Sequence, residues 1–128
     1  MEASRLAAIP LFSKLNETDL AVAAGAATEQ EVAAGEEIVT EGDFGYALYA
    51  IESGDAEVTV DGGRIATLGP GDIFGEMAVL VSGRRTATVT ATSPMRQIAL
   101  FKRDDWALER QAPETATRLR ALIEERRG

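Results

Sequence analysis

GPGDIFGEMAVLVSGRRTATVTA, residues 69–91, is the stretch around which the rest of the chain is organised. Gly75 has no Cβ, so the backbone there can lie close to a ligand. A short helix over residues 76–81 would direct unpaired N–H groups outward, and Arg85 would add a planar, permanently charged fork that suits phosphate oxygens. This order of parts predicts a pocket for a small anion. The carboxylate of Glu76 would then face another part of the ligand, such as ribose hydroxyls.

The composition limits the chemistry that the chain can perform. Its 128 residues, 45% of them hydrophobic, predict one globular domain over residues 1–128. The absence of cysteine and histidine excludes thiol chemistry and removes the commonest metal ligand and general base, so we predict no metal and no cofactor. A net charge of −8 argues against partners such as nucleic acid or anionic membranes. Without a membrane-length apolar run or a secretory pattern, the expected location is the cytoplasm.

Short extended segments separated by glycines fill the middle of the chain. Alternating or apolar segments predict strands at 37–40, 47–52, 56–60, 64–68, 87–91 and 97–101. The sequence Asp61-Gly62-Gly63 predicts a hairpin turn, because glycine adopts positive φ readily. Helices flank these strands: residues 2–9, ended by Pro10, a second helix capped by Asn16, and two at the C-terminus. The expected fold is a mainly β sandwich or barrel of seven or eight antiparallel strands with flanking helices.

The last predicted helix, which begins at Pro113, has two different faces. Its polar face is expected to be solvated and comprises Arg118, Arg120, Glu124 and Glu125. Its apolar stripe comprises Ala116, Leu119, Leu122 and Ile123. Spacing leaves three arrangements open for the stripe: packing on the strands, contact with a second chain in a homodimer, or closure over a ligand.

Several motifs together resemble the cyclic nucleotide-binding domain of catabolite-activator-type transcription factors, protein kinase regulatory subunits and cyclic-nucleotide-regulated channels. They are IPLF at 9–12, EGD at 41–43, IESGDAEV at 51–58, LGPGDIFGEMAVL at 68–80 and RRTATVTA at 84–91. FGE followed at this spacing by RTATV is the specific signal. The resemblance covers roughly residues 6–123. It implies an eight-stranded antiparallel, jelly-roll-like β-roll with N-terminal helices, a short phosphate-binding helix and C-terminal helices.

The resemblance also implies a ligand and its contacts. Arg85 matches the arginine that pairs with the cyclic phosphate, and Glu76 matches the carboxylate that accepts the ribose 2′-hydroxyl. The N–H groups of Gly75, Ala78 and Thr86 match those that hold ribose or phosphate oxygens. Cyclic AMP is the expected ligand, and cyclic GMP is the alternative because the Thr86 hydroxyl can meet the guanine amino group. The candidate ligand-binding set is Phe74, Gly75, Glu76, Met77, Ala78, Arg84, Arg85, Thr86, Thr88, Arg120 and Ile123.

Some of these positions have alternative roles. Thr88 either lines the base pocket or is a strand-surface threonine. Arg84 stands where the family often has proline, and it either adds a second positive charge or lies on the surface. The last helix has no aromatic residue to stack on the base, so Leu119, Arg120 and Ile123 are its lid candidates.

The expected function is a regulatory sensor and not an enzyme. Nucleotide binding would order residues 75–81 and the Arg85 loop, the last helix would move over the base, and an unknown effector protein would detect that movement. With no helix-turn-helix before Gly128, the chain is expected to be a free-standing sensor, or else one domain of a longer protein. Two alternatives are an interaction module of the same fold that no longer binds nucleotide, and a small β-barrel enzyme using Glu41 and Asp43. Acidic residues at a Gly-rich turn are, however, typical turn formers.

Overall fold

A computed structural model describes residues 1–45, 47–75 and 84–127 of the chain. Three helices come first: α1 (Ala3–Ala7), α2 (Pro10–Ser13) and α3 (Glu17–Ala26). The strands are β1 (Thr28–Val32), β2 (Glu37–Val39), β3 (Ala47–Ser53), β4 (Ala56–Val60), β5 (Gly63–Leu68), β6 (Ile73–Phe74), β7 (Thr88–Ala91) and β8 (Met95–Phe101). Two helices follow, α4 (Lys102–Gln111) and α5 (Pro113–Arg127).

The strands form two four-stranded sheets that face each other. The first sheet has the order β1-β8-β3-β6, and the second has the order β2-β7-β4-β5. Every strand pairing in the described ranges is antiparallel. The prediction of a mainly β, eight-stranded jelly-roll-like fold with flanking helices is therefore confirmed.

Side-chain alternation on β3 and β8 divides the hydrophobic core in two. Leu48 and Leu100 are paired in register and face the helices, where they pack with Leu6, Leu11 and residues of α5. Ile51 and Met95 point the other way, into the space between the sheets, together with side chains of β2, β4 and β7. This alternation follows from the two-residue period of a strand, which lets one strand contribute to two layers.

The ends of the helices follow local rules, with one exception to the prediction. The Asn16 side chain accepts a hydrogen bond of 2.8 Å from the Asp19 N–H and caps α3, as predicted. Pro10 does not end the first helix; α1 ends at Ala7, and Pro10 is the first residue of α2, where a missing N–H has no cost. No described helix combines the length and the apolar character that crossing a membrane requires.

The turn between β4 and β5 has the predicted chemistry. Asp61 and Gly62 have φ values of 51° and 80°, and positive φ at both central residues is the pattern of a tight two-residue hairpin turn. Strand β1, with the sequence TEQEV, was not predicted. The sequence of β1 shows no alternation of apolar and polar residues, and Val32 is the only residue of this strand that is buried.

Candidate functional site

The segment that joins β2 to β3 holds the backbone of Arg85, and the first residue of β3 holds its guanidinium. The Arg85 N–H donates to the Asp43 carbonyl at 2.6 Å, and the Gly42 N–H donates to the Arg85 carbonyl at 2.9 Å. At the other end of the side chain, Nη2 of Arg85 donates to the Ala47 carbonyl at 2.9 Å. Because β3 begins at Ala47, the guanidinium is fixed at the N-terminal end of an inner strand of the first sheet.

Gly75 lies directly against this guanidinium. A Cβ built at Gly75 would be 2.8 Å from Nη1 of Arg85 and 2.8 Å from the Ala47 carbonyl oxygen. Its φ of +77° is also unfavourable for residues with a side chain. The sequence predicted that Gly75 lets backbone and ligand approach each other; the structure shows that it lets backbone and Arg85 approach each other.

The ring of Phe74 belongs to the core between the sheets. Phe74 is buried and stacks on Tyr49, with ring centroids 5.1 Å apart. Burial raises the pKa of the Tyr49 phenol, while the positive charge of Arg85 acts in the opposite direction.

The hydroxyl of Thr88 is bonded to Glu41. Its Oγ1 accepts from the Glu41 N–H at 3.0 Å and donates to the Glu41 carboxylate at 3.3 Å. That carboxylate also accepts from the Asp61 N–H, at 3.1 and 3.2 Å. Glu41 thus joins its own loop to the β4–β5 turn. Thr86 is exposed.

Arg84 extends along the outside of the same loop. Its Nη1 donates to the Gly42 carbonyl at 2.8 Å, and its guanidinium lies 4.6 Å from the centroid of the Phe44 ring. Phe44 is 55% exposed and was not singled out from the sequence.

The lid candidates are placed on α5 in its packed position. Leu119 and Ile123 are buried in the core with α1, α2 and α3, so the apolar stripe packs inside the domain. Nη2 of Arg120 donates to Glu109 of α4 at 2.8 Å. Contact between these side chains and a ligand would require α5 to move.

Three candidate residues, Glu76, Met77 and Ala78, lie outside the described residues, as does the helix predicted for residues 76–81. Their proposed contacts stay predictions.

A buried carboxylate in the first turn of α3 connects this helix to α5. Asp19 is 1% exposed and accepts hydrogen bonds from the Thr115 hydroxyl at 2.5 Å and from Nη2 of Arg118 at 2.8 Å. Nε of Arg118 donates to its other oxygen. Hydrogen bonds from Arg118 and Thr115 lower the pKa of Asp19 to about 2. Arg118 is exposed, as predicted for this face of α5, but its guanidinium also pairs with Asp19. Spacing within α5 gives no signal for a partner on α3.

The Asp19 cluster makes stability depend on pH at the acid end. Because the folded pKa of about 2 lies below the ordinary value of 3.8, the stabilisation is complete above pH 3.8 and is lost as pH falls towards 2. We expect the unfolding midpoint in urea to fall over this interval in the wild type, with a smaller fall in Asp19→Asn. Equal slopes for the two proteins between pH 4 and pH 2 would contradict this assignment.

Comparison with known proteins gives one consistent family. Residues 29–109 match the family model described as the cyclic nucleotide-binding domain. The cAMP-dependent protein kinase regulatory subunit of Yarrowia lipolytica is 44% identical over 96 residues, which cover 73% of this chain and 26% of that protein. The cyclic AMP receptor protein of Thermus thermophilus is 37% identical over 122 residues, which cover 91% of this chain and 56% of that protein.

A solved structure also matches. The N-terminal domain of a transcriptional regulator from Streptomyces coelicolor superposes with a TM-score of 0.79 at 31% identity, over 91% of this chain and 85% of that one. Each of the two sequence relatives is longer than the matched region, since the chain spans between about a quarter and just over half of their lengths.

Proposed function

Since this chain belongs to the cyclic nucleotide-binding domain family, we propose that it binds a cyclic nucleotide and acts as a regulatory sensor, not as a catalyst. The observation that carries the proposal is the way Arg85 is held. Its backbone is bonded to Gly42 and Asp43, and its guanidinium lies between the Ala47 carbonyl and Gly75. A fixed planar cation at a backbone without Cβ suits the oxygens of a phosphate.

The proposed contacts are of two kinds, one to the cyclic phosphate and one to the ribose. Arg85 pairs with the cyclic phosphate, and the N–H groups of Gly75, Ala78 and Thr86 bind its oxygens or those of the ribose. Glu76 accepts the ribose 2′-hydroxyl. Phe74 and Met77 contribute as sequence neighbours of these groups, and the Phe74 ring anchors the segment by stacking on Tyr49 in the core.

We propose cyclic AMP as the preferred ligand. Two relatives carry cyclic AMP in their names, a cAMP-dependent protein kinase regulatory subunit and a cyclic AMP receptor protein. The exposed hydroxyl of Thr86 keeps cyclic GMP as the alternative. Thr88 is already bonded to Glu41, which favours a supporting role over a contact with the base.

The output of the sensor would be a movement of α5. Nucleotide would favour an arrangement in which Arg120 and Ile123 approach the base, to the extent that it binds this arrangement more tightly than the packed one. The exposed Arg120–Glu109 pair is a weak restraint on such a change, because surface ion pairs contribute little. The effector that detects the movement, and a homodimer through the terminal helices, stay predictions.

Isothermal titration with cyclic AMP and cyclic GMP tests the proposal. We expect heat from both nucleotides, tighter binding of cyclic AMP, and a raised melting temperature, since a ligand at 100 times its Kd stabilises the native state by about 2.7 kcal/mol. If neither nucleotide gave heat or thermal stabilisation, the domain would be an interaction module that has kept the fold without the ligand.

Gly75→Ala is expected to raise the Kd for cyclic AMP and to lower the free energy of unfolding, with the effect on binding at least as large as the effect on stability. The new methyl group would displace the Arg85 guanidinium, and the positive φ adds a cost of roughly 1–2 kcal/mol. Gly35→Ala is the matched control, since Gly35 has a φ of +87° but a Cβ added there would meet no atom within 4 Å. Urea unfolding should show a loss in both variants, and titration should show weaker binding in Gly75→Ala alone; equal affinities would contradict the arrangement.

A further inference from the structure

The loop before β3 and the two consecutive arginines form a short pair of antiparallel segments. Phe44 and Arg84 are bridge partners, and the Arg85 N–H and carbonyl are both bonded to this loop. Arg85 therefore owes its backbone position to residues 42–44. Whatever stiffens these residues also stiffens Arg85.

Gly42 is the central point of this pairing, because the two arginines bind its two polar groups. Its N–H donates to the Arg85 carbonyl at 2.9 Å, and its carbonyl accepts from Nη1 of Arg84 at 2.8 Å. A glycine with a φ of +85° has little steric restraint of its own. The side chain of Arg84 supplies that restraint from outside.

The Phe44 ring in turn holds the Arg84 guanidinium. The 4.6 Å separation is within the range of a cation–π contact, and Arg84 is exposed, so that without the ring its long side chain would sample many rotamers. Phe44 is 55% exposed, which is unusual for a phenylalanine that only fills a core. Contact with the Arg84 guanidinium is a structural role that accounts for an exposed ring at this position.

We propose that Phe44 and Arg84 are positioning residues that hold the Gly42–Arg85 pairing and so raise nucleotide affinity without touching the ligand. This inference rests on the proposed function of Arg85 as the phosphate ligand. Arg84 lies on the surface, which is one of the two alternatives predicted from the sequence, and the inference gives it a positioning role there in place of a second charge at the phosphate. The pair Phe44–Arg84 is called the clasp below.

The first test measures affinity. Titration of cyclic AMP into Phe44→Ala and Arg84→Met should give a Kd raised roughly two- to fivefold, the equivalent of one cation–π contact. Phe44→Trp should keep wild-type affinity, because tryptophan is the best cation–π partner. Ile65→Ala is the matched control, as Ile65 is a 64% exposed apolar residue on β5, and its Kd should not change.

The second test separates positioning from direct contact. Each substitution is repeated in an Arg85→Ala background. The arginine side chain that the clasp would position is absent there, so the substitutions should have no further effect on the Kd for cyclic AMP. If Arg84→Met still weakened binding in that background, Arg84 would be a ligand contact and the proposal would be wrong. An unchanged Kd for both Phe44→Ala and Arg84→Met in the wild-type background would overturn it as well.

The third test needs no ligand and keeps the two proposals apart. Amide hydrogen exchange at Arg85, whose N–H donates to Asp43, should be faster in Phe44→Ala and Arg84→Met than in the wild type or Ile65→Ala. If the wild-type chain bound neither nucleotide, the proposed function and the effect on affinity would fall together. The exchange rates would still decide whether the clasp holds Arg85, and equal rates in all four proteins would show that it does not.

Discussion

Arg85→Ala should weaken cyclic AMP binding by about one to two orders of magnitude. The substitution removes charge-assisted hydrogen bonds, worth about 1.5–3 kcal/mol, and every 1.4 kcal/mol corresponds to tenfold in Kd. The effect should be large because this guanidinium is half-buried and already held at the Ala47 carbonyl, so that little ordering is needed when the phosphate arrives. Isothermal titration gives the two dissociation constants directly.

Two further variants serve as controls for the Arg85→Ala result. Arg85→Lys keeps the charge but loses the planar fork, and it should bind with intermediate affinity. Arg64→Ala removes an exposed arginine on β5 and should leave the Kd unchanged, which controls for the change in net charge. If Arg85→Ala bound cyclic AMP within twofold of the wild type, Arg85 would not be the phosphate ligand.

The second large effect concerns stability. Ile123→Ala is expected to lower the free energy of unfolding by about 2–5 kcal/mol, because it leaves a cavity at a fully buried position. Ile123 packs in the core that α5 shares with α1, α2 and α3, where little can move to fill the space. Urea unfolding measures the loss, and Glu124→Ala, at the adjacent exposed position, should stay within about 0.5 kcal/mol of the wild type.

The same variant bears on the lid role of α5. Ile123 cannot contact a nucleotide while it is buried. Because Ile123→Ala is less stable, the Kd of this variant for cyclic AMP must be measured at a temperature where the variant is fully folded. If Ile123→Ala and Arg120→Ala both left the Kd for cyclic AMP unchanged, neither residue would be part of a lid. The movement of α5 would then need a different ligand contact.

Most strands were predictable from side-chain alternation or from apolar runs between glycine turns, but β1 and the two-residue β6 were not predicted. β4 matches its predicted bounds, and the Asp61–Gly62 turn has the positive φ values that its sequence predicts. β1 was missed because an edge-type strand with three charged or amide residues in sequence has no apolar period to detect. The role of Pro10 was misassigned because proline disrupts the interior of a helix but is favoured at its first position, and Pro10 occupies the first position of α2.

The candidate site was predictable in its motif but not in its supports. Arg85 and Gly75 follow from the spacing of the motif, yet no pattern places Phe44 beside Arg84 or Asp19 beside Arg118. Those pairs join segments that are 40 and 99 positions apart, since 84 − 44 = 40 and 118 − 19 = 99. Contacts over such separations depend on the fold, which a single sequence specifies only as a whole.

Within the part of the chain that the structure describes, the shifted pKa values all move away from neutrality. The pKa of Asp19 and that of Glu52 are lowered by arginine partners, that of the Tyr49 phenol is raised by burial, and those of Arg5 and Arg118 are raised by carboxylates. The chain also has no histidine, the side chain that ordinarily titrates near pH 7. Between pH 5 and pH 8 these five groups therefore keep their charge states, so that their ion pairs and hydrogen bonds hold the fold with the same strength across that interval.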